Sequence, residues 1–307
     1  MSGAFGDRGE RWLTELPEII DACVARWDLR LGDPYPDPSY QIVYRATGPS
    51  GDLLALKLGV PRGELRDEAF ALRSWGGRGA VRLVADDPAA GALLLERLEP
   101  GTQLADVAVV DDDEATKAGA AVFRRIAEAG FRDDWEEAKL AVPPVQTLAD
   151  WGLDLDRHLM EHGDDGPLPR GIVQSAATAY SSLHASTDRK ALLHGDLHHH
   201  NILLAAGREE AWVAIDPKGI IGDPAFEVGA FLRNPGAAFG PGTDGAARTR
   251  RRIDLIVDET GLDRMRLVDW AWAGSVLSAV WCVSEEGREG SSWSWPIQVA
   301  DWILAAR

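Results

Sequence analysis

The chain is short of cysteine, of positive charge and of long apolar runs, and each shortage closes off a class of protein. Cys23 and Cys282 are the only cysteines among 307 residues and lie far apart. Two thiols build neither a disulfide framework nor a four-cysteine zinc site, and a reducing cytoplasm is the expected setting. There is no uninterrupted apolar run of about 18 residues, so no transmembrane helix is predicted. The N-terminus, MSGAFGDRGERWL, lacks a basic stretch followed by an apolar core and does not read as a secretory signal. Lysine and arginine total 32 against 49 aspartates and glutamates, a formal net charge of −17. Such a surface repels phosphate backbones, which argues against a nucleic-acid partner. The same charge serves either solubility or the gathering of a cationic substrate in a cleft. Nothing suggests an obligate partner, so a monomer is expected.

What remains is ordinary for a globular chain: 45% hydrophobic and 26% charged residues. Twelve tryptophans stand out. Most are expected in cores, though any one could stack on a ring or cover a cation. Residues 10–27 carry apolar positions at helical spacing (Trp12, Leu13, Leu16, Ile19, Ile20, Val24, Trp27). The proline-rich DPYPDPSY (33–40) predicts a loop. QIVYRAT (41–47) and LLALKLGV (53–60) then make a hairpin, GELRDEAFALRSW (63–75) a helix, and 80–87 with 92–98 a second hairpin. This is an α+β unit, a small antiparallel sheet with one helix. Past residue 101 helical patterns dominate, at roughly 111–129, 147–161, 169–185, 244–260, 263–283 and 296–306. They are interrupted by short strand-like runs at 192–194, 201–206 and 212–216. A domain boundary near Glu99–Gly101 divides the chain into 1–98 and 99–307.

The informative stretch is HGDLHHHNILL (194–204) followed by WVAIDPKGIIGDPAFE (212–227). Asp196 precedes Asn201 by four intervening residues, and a strand ends at Asp216. The protein-kinase pattern has this order: a catalytic aspartate, a metal-binding asparagine, then a metal-binding aspartate. Phosphoryl transfer needs a carboxylate to position a hydroxyl and accept its proton. It also needs hard oxygen ligands for Mg²⁺. Lys57 sits inside the apolar run LLALKLGV, where a lysine calls for a partner. It is expected to contact ATP phosphates and pair with Glu68 of the next helix, with Glu64 in reserve one turn earlier. The alternative is that Lys57 points outward from an edge strand. No GxGxxG precedes it, so phosphate coverage is left to a weak candidate, the Ser39 hydroxyl. ERLEPG (96–101) is expected to link the lobes, with Glu96 and Leu98 meeting adenine through main-chain groups.

LLHGDLHHHNILL and AIDPKGIIGDPAFEVGAFLRNP resemble the aminoglycoside phosphotransferases, most of all the streptomycin 6-kinase and hydroxyurea phosphotransferase branch. The likeness extends, less tightly, from about residue 40 to 285 and includes ALKLGVPRGELRDEAFALRSWGGRGAVRLV and LLLERLEPG. It implies a two-lobed protein-kinase-like fold, ATP, Mg²⁺ and transfer of the γ-phosphate to a drug hydroxyl. Carried over, Asp196 is the base, Asn201 and Asp216 hold metal, Lys57 is the phosphate lysine and Glu68 its partner. Asp223 would brace the loop rather than touch substrate. Where a protein kinase has DFG, this chain has Asp216-Pro217-Lys218-Gly219, and the proline argues against an in/out switch.

Two rival functions are weighed. A zinc hydrolase could use His194, Asp196, His198, His199 and His200, but it leaves Lys57, Asn201 and Asp216 unexplained. A catalytically silent binding protein would not need every catalytic position filled. The implied acceptor is streptomycin, at the 6-hydroxyl of streptidine, with antibiotic resistance as the consequence. Hydroxyurea or another small hydroxyl acceptor is the alternative. Two guanidinium groups would suit carboxylates. Glu227, Glu285 and Glu286 are candidates for them, with Asp150, Asp154 and Asp156 behind, and Trp281 as a flat wall. Each could equally be a surface charge or a core ring.

Overall fold

The computed structural model describes residues 2–36, 40–61, 63–131, 145–287 and 289–307. Its N-terminal part runs α1 (Ser2–Trp27), β1 (Arg30–Pro34), β2 (Gln41–Thr47), β3 (Leu53–Gly59), α2 (Gly63–Trp75), β4 (Leu83–Asp87) and β5 (Ala92–Glu96). The five strands form one antiparallel sheet in the order β1-β2-β3-β5-β4. β3 is central and alternates across it. Leu54, Leu56 and Leu58 face one side with Trp12 and Cys23 of α1. Ala55 and Lys57 face the other with Leu93, Leu95 and α2. The period of two thus sends the one charged residue of β3 to the inner face.

The C-terminal part runs β6 (Pro100–Gln103), α3 (Leu104–Val110), α4 (Asp112–Gly130), α5 (Leu148–His162) and α6 (Arg170–Ala185). Then come β7 (Ala191–Leu193), β8 (Ile202–Ala205), β9 (Trp212–Ala214) and β10 (Ile220–Gly222). α7 (Val228–Leu232), α8 (Gly245–Thr260), α9 (Arg264–Glu286) and α10 (Ser294–Ala305) complete it. The whole is a two-lobed α+β fold, a small sheet lobe and a mainly helical lobe. α9 is its central helix. By length and composition it could cross a membrane, but 67% of that stretch is buried in the fold.

Three short strands depart from expectation. β1 takes in Asp33 and Pro34 from the predicted loop. It lies at the sheet edge, where a proline at the strand end breaks no ladder. β6 pairs with β8, and β10 with β7. The first residues of the expected strand 80–87 leave the N-terminal sheet. Ala80 bridges to Ala214, and Val81 N–H donates to Ala214 O at 2.8 Å. That contact ties the two lobes, and a single buried cluster runs from Leu93 and Leu95 through Ala80 and Val81 to Val213 and Leu192.

Candidate active site

Two loops carry the motif residues. Residues 194–201 connect β7 to β8, and 215–219 connect β9 to β10. Backbone bonds stitch them together: Ile215 N–H to Asn201 O at 2.9 Å and Lys218 N–H to His194 O at 2.7 Å. His194 adds a side-chain bond, its Nε2 to Ile215 O at 2.7 Å. Its Nδ1 accepts from Asp196 N–H at 3.2 Å, so the ring is neutral with the proton on Nε2. Burial, against the pull of Asp196, lowers its pKa to about 4. Gly195 lies at φ +83, where a Cβ would stand 3.0 Å from Ile220 and Trp151. Only glycine makes that turn without displacing both.

Asp196 emerges from this loop with its side chain 41% exposed and His198 Nε2 3.7 Å away. Asn201 donates its Nδ2 to Asp196 O at 3.0 Å, which orients the amide. No hydrogen bond among the described residues takes Asn201 Oδ1. Asp216 has φ +60, a left-handed conformation that is costly for aspartate and is found where the surroundings enforce it. Its Oδ1 takes Lys57 Nζ at 2.6 Å. Lys57 also donates to both oxygens of Glu68, at 2.6 and 2.7 Å. The expected Lys57–Glu68 pair is therefore formed, and the outward-facing alternative is excluded by a side chain only 2% exposed. Burial alone would depress the Lys57 ammonium, but Asp216 and Glu68 outweigh it and hold its pKa above the ordinary value. Burial likewise pushes Asp216 up, and the Lys57 charge more than reverses that.

Three cavities meet along these residues. The first, about 420 Å³, lies between the lobes, lined by Val43, Ala55, Leu95, Leu203 and Ile215 and closed at its inner end by Lys57 and Asp216. Glu96 and Leu98 line it, as expected for the linker. The Glu96 carboxylate is engaged by Arg208 and by Arg82 N–H at 2.8 Å, and its main-chain N–H donates to Arg82 O at 3.0 Å. The second, about 270 Å³, holds Lys57, Glu68, Asp196, Asn201 and Asp216. The third, about 750 Å³, opens on the helical lobe and reaches Asp196 from the other side. Ser39 lies outside the described residues.

The third cavity gathers seven carboxylates (Glu64, Asp67, Asp150, Asp154, Asp196, Glu227 and Glu285) against three cations (Arg157, Lys218 and Arg233). Trp281 lines it, edge-on to Trp151 at 5.1 Å, with its Nε1 donating to Asp154 at 2.8 Å. Two expected acceptor residues have other tasks. Glu227 is 3% exposed, and its oxygens accept from the N–H groups of Gly195 at 2.7 Å and His194 at 3.2 Å. Burial pushes its pKa up to about 8. It braces the loop that carries Asp196 from beneath. Glu286 accepts from Ser292 N–H at 3.2 Å, across the turn that follows α9, and does not line the cavity. Asp156 is also absent from the lining, and Asp150 closes a capping box with Thr147 at the start of α5. Sequence reasoning missed Asp67, Arg157 and Arg233. Nothing local marks them, because α2, α5 and the segment after α7 come together only in the fold.

The histidine-rich run does not converge. His194 bonds Ile215 O, His199 is buried and stacked on Phe231 at 3.8 Å, and His200 bonds Gln103 at 2.9 Å. The rings point to three different places, as a shared zinc ligand set would not. The free oxygens, Asn201 Oδ1 and the second oxygen of Asp216, are instead the hard donors Mg²⁺ prefers. Asp223 is a brace, as expected: it caps Ala225 N–H at 2.9 Å and accepts from Trp270 Nε1 at 2.9 Å and from Arg266.

Residues 39–287 match the family model described as aminoglycoside/hydroxyurea antibiotic resistance kinase. The chain is 32% identical over 288 residues to the streptomycin 6-kinase of Streptomyces griseus, covering 92% of this chain and 88% of that protein. It is 34% identical over 284 residues to the hydroxyurea phosphotransferase of Kitasatospora aureofaciens, covering 91% and 77%. Among solved structures, a choline/ethanolamine kinase family protein from Mesorhizobium loti superposes with a TM-score of 0.64 at 17% identity, covering 94% of each chain.

Proposed function

The chain belongs to the aminoglycoside/hydroxyurea antibiotic resistance kinase family and is an ATP-dependent small-molecule kinase, and from that premise we propose that it phosphorylates streptomycin at the 6-hydroxyl of streptidine. The observation that carries this reading is the position of Asp196, on the border between the phosphate-sized cavity and the large acidic one. In this reading residues 1–98 form the nucleotide-binding lobe and 99–307 the lobe that carries the catalytic loop and the acceptor site. Adenine enters the cavity between them and meets main-chain groups of Glu96 and Leu98.

Lys57, held by Glu68, binds the α- and β-phosphates. Asn201 and Asp216 hold Mg²⁺, which when bound neutralises phosphate charge. Asp196 accepts a hydrogen bond from the acceptor hydroxyl, orients it and takes its proton as the phosphoryl group moves. His194 and Glu227 fix the backbone on which Asp196 stands. Glu285 offers a carboxylate to a guanidinium group, Asp154, held by Arg157 and Trp281 Nε1, adds negative charge beside it, and the Trp151–Trp281 pair supplies the wall. The reaction would take place in the cytoplasm, where ATP is supplied, and would confer antibiotic resistance. The acidic lining favours streptomycin over hydroxyurea, which carries no charge to reward it.

A coupled assay for ADP release over streptomycin, other aminoglycosides, hydroxyurea and choline tests the proposal, with mass spectrometry to locate the phosphate. Streptomycin is expected to turn over fastest and to carry one new phosphoryl group on the streptidine ring. Faster turnover of hydroxyurea, or a phosphate on another ring, would overturn it.

A further inference from the structure

The lysine of the DPKG turn has no part in the mechanism above, yet its position is tightly fixed. Lys218 N–H donates to His194 O at 2.7 Å, buried Pro217 precedes it, and Gly219 follows at φ +66. A Cβ on Gly219 would lie 2.5 Å from Asp67 O, so this turn packs directly against the backbone of α2. The Lys218 side chain is nevertheless exposed and forms no ion pair among the described residues. Carboxylates of Glu64, Asp67 and Asp196 line the same cavity. Only Glu64, Asp196 and Lys218 border both the phosphate cavity and the acceptor cavity, so Lys218 is the one cation at that junction among the described residues.

A free ammonium in a cleft that suits a cationic acceptor weakens acceptor binding. Carboxylates already line the cavity with it, and the further anion that crosses this border is the group being transferred. Building on the kinase reading above, we infer that Lys218 is a catalytic residue whose ammonium meets the γ-phosphoryl group in flight. The acceptor oxygen forms a bond to the γ-phosphorus. The bond from that phosphorus to the β,γ-bridging oxygen breaks, and its electron pair stays on ADP. The hydroxyl proton passes to Asp196. The Lys218 ammonium balances the charge spread over the three equatorial oxygens.

The test compares wild type with Lys218→Met and Lys218→Arg by steady-state kinetics, thermal unfolding, and ADP binding with and without aluminium fluoride, a mimic of the transferring group. Lys218→Met is expected to lose about 10²–10³-fold in kcat, the scale of one transition-state donor. Its KM for ATP should stay within about threefold, and its KM for a cationic acceptor should hold or fall, because a repelling charge has gone. Its Tm should be unchanged, its ADP affinity intact, and the tightening by aluminium fluoride lost. Lys218→Arg should keep more activity than Lys218→Met. Wild-type kcat in Lys218→Met overturns the inference. So does a loss confined to KM for ATP, which would make Lys218 a ground-state anchor, or a loss that tracks a lower Tm. If wild type phosphorylates none of the aminoglycosides, the acceptor assignment fails alone. The variants are then read on slow hydrolysis of ATP by water and on aluminium fluoride binding, where equal values for Lys218→Met and wild type overturn the inference.

Discussion

At the scale of single residues, the candidate site divides into groups proposed to act on substrate and groups that hold them. Asp196 is half-exposed and borders both cavities, whereas His194 beside it is wholly buried and bonded at both ring nitrogens. Asp196→Asn keeps the shape and removes the proton acceptor. It should leave nucleotide affinity within about twofold and lower kcat by about 10²–10⁴-fold, the range for a general base. Titration calorimetry with a non-hydrolysable ATP analogue beside turnover rates checks both halves, and near-wild-type turnover would remove Asp196 from the role. His194 predicts an acid limit. Its folded pKa of about 4 lies below the ordinary histidine value, so the folded state binds fewer protons than the unfolded one between those values. Its contribution to stability is therefore present above about pH 6.5 and lost as pH falls toward 4. Over that interval the loss amounts to about 3 kcal/mol. Urea denaturation at a series of pH values should show this acid-side slope, and a His194→Gln variant should flatten it.

At the scale of elements, the motif loops are held by other elements as much as by their own residues. Asp223 is the knot: one carboxylate caps the short turn before α7 and takes Trp270 and Arg266 of α9, with Thr187 at 3.3 Å beyond α6. Removing one partner of such a buried charge costs about 3–5 kcal/mol. Asp223→Ala should lower the urea midpoint accordingly without changing the slope. The KM for ATP of the folded enzyme should hold, because Asp223 is in the lining of none of the three cavities. Equal stability of Asp223→Ala and wild type would show the knot to be dispensable. The motif loops were legible in the sequence for a local reason. Asp196, Asn201 and Asp216 lie on two short connections whose geometry is set by their own glycines, proline and flanking strands. Lys57 and Glu68 were legible because a lysine in an apolar strand calls for an acid on the neighbouring helix. β6 and β10 were not, since three or four residues containing glycine carry too little alternation to declare a strand. The lining of the large cavity was legible only in part: Asp150, Asp154, Trp281 and Glu285 were named, but α2 gives two lining residues, α5 five and α9 four, far apart in sequence, so no window of the chain contains the pattern. Glu227 and Glu286 stand apart from the other candidates. Nearness in sequence to the motif or to α9 suggested contact with substrate, while burial gave one to the loop backbone and a turn claimed the other.

At the scale of the whole molecule, a net charge of −17 admits two explanations, general solubility or a directed field. The placement of the charges bears on the choice. Six acidic side chains, among them Asp196, the residue proposed as base, face one cavity against three cations, while the seventh, Glu227, is buried against the loop backbone and favours its neutral form. A surface charged only for solubility has no reason to crowd like charges into a concave wall, where low-dielectric surroundings strengthen their repulsion. A site for a polycation does, because the incoming charge relieves it. This makes ionic strength the diagnostic. The screening length shrinks from about 30 Å at 0.01 M to about 3 Å at 1 M salt. For a cationic acceptor kcat/KM should fall at least about tenfold across that range, mostly through KM, while kcat holds. For a neutral acceptor both should stay level. Glu285→Gln and Asp154→Asn, which keep shape and hydrogen-bonding oxygen, should each raise KM for the cationic acceptor by up to about fivefold, the worth of one partly exposed pair. Their salt dependence should be shallower than that of wild type. Lys218→Met should shift KM the opposite way, so the three variants together report the sign of the field at the point where the acceptor sits. A kcat/KM that ignores salt for every acceptor would return the charge to solubility alone.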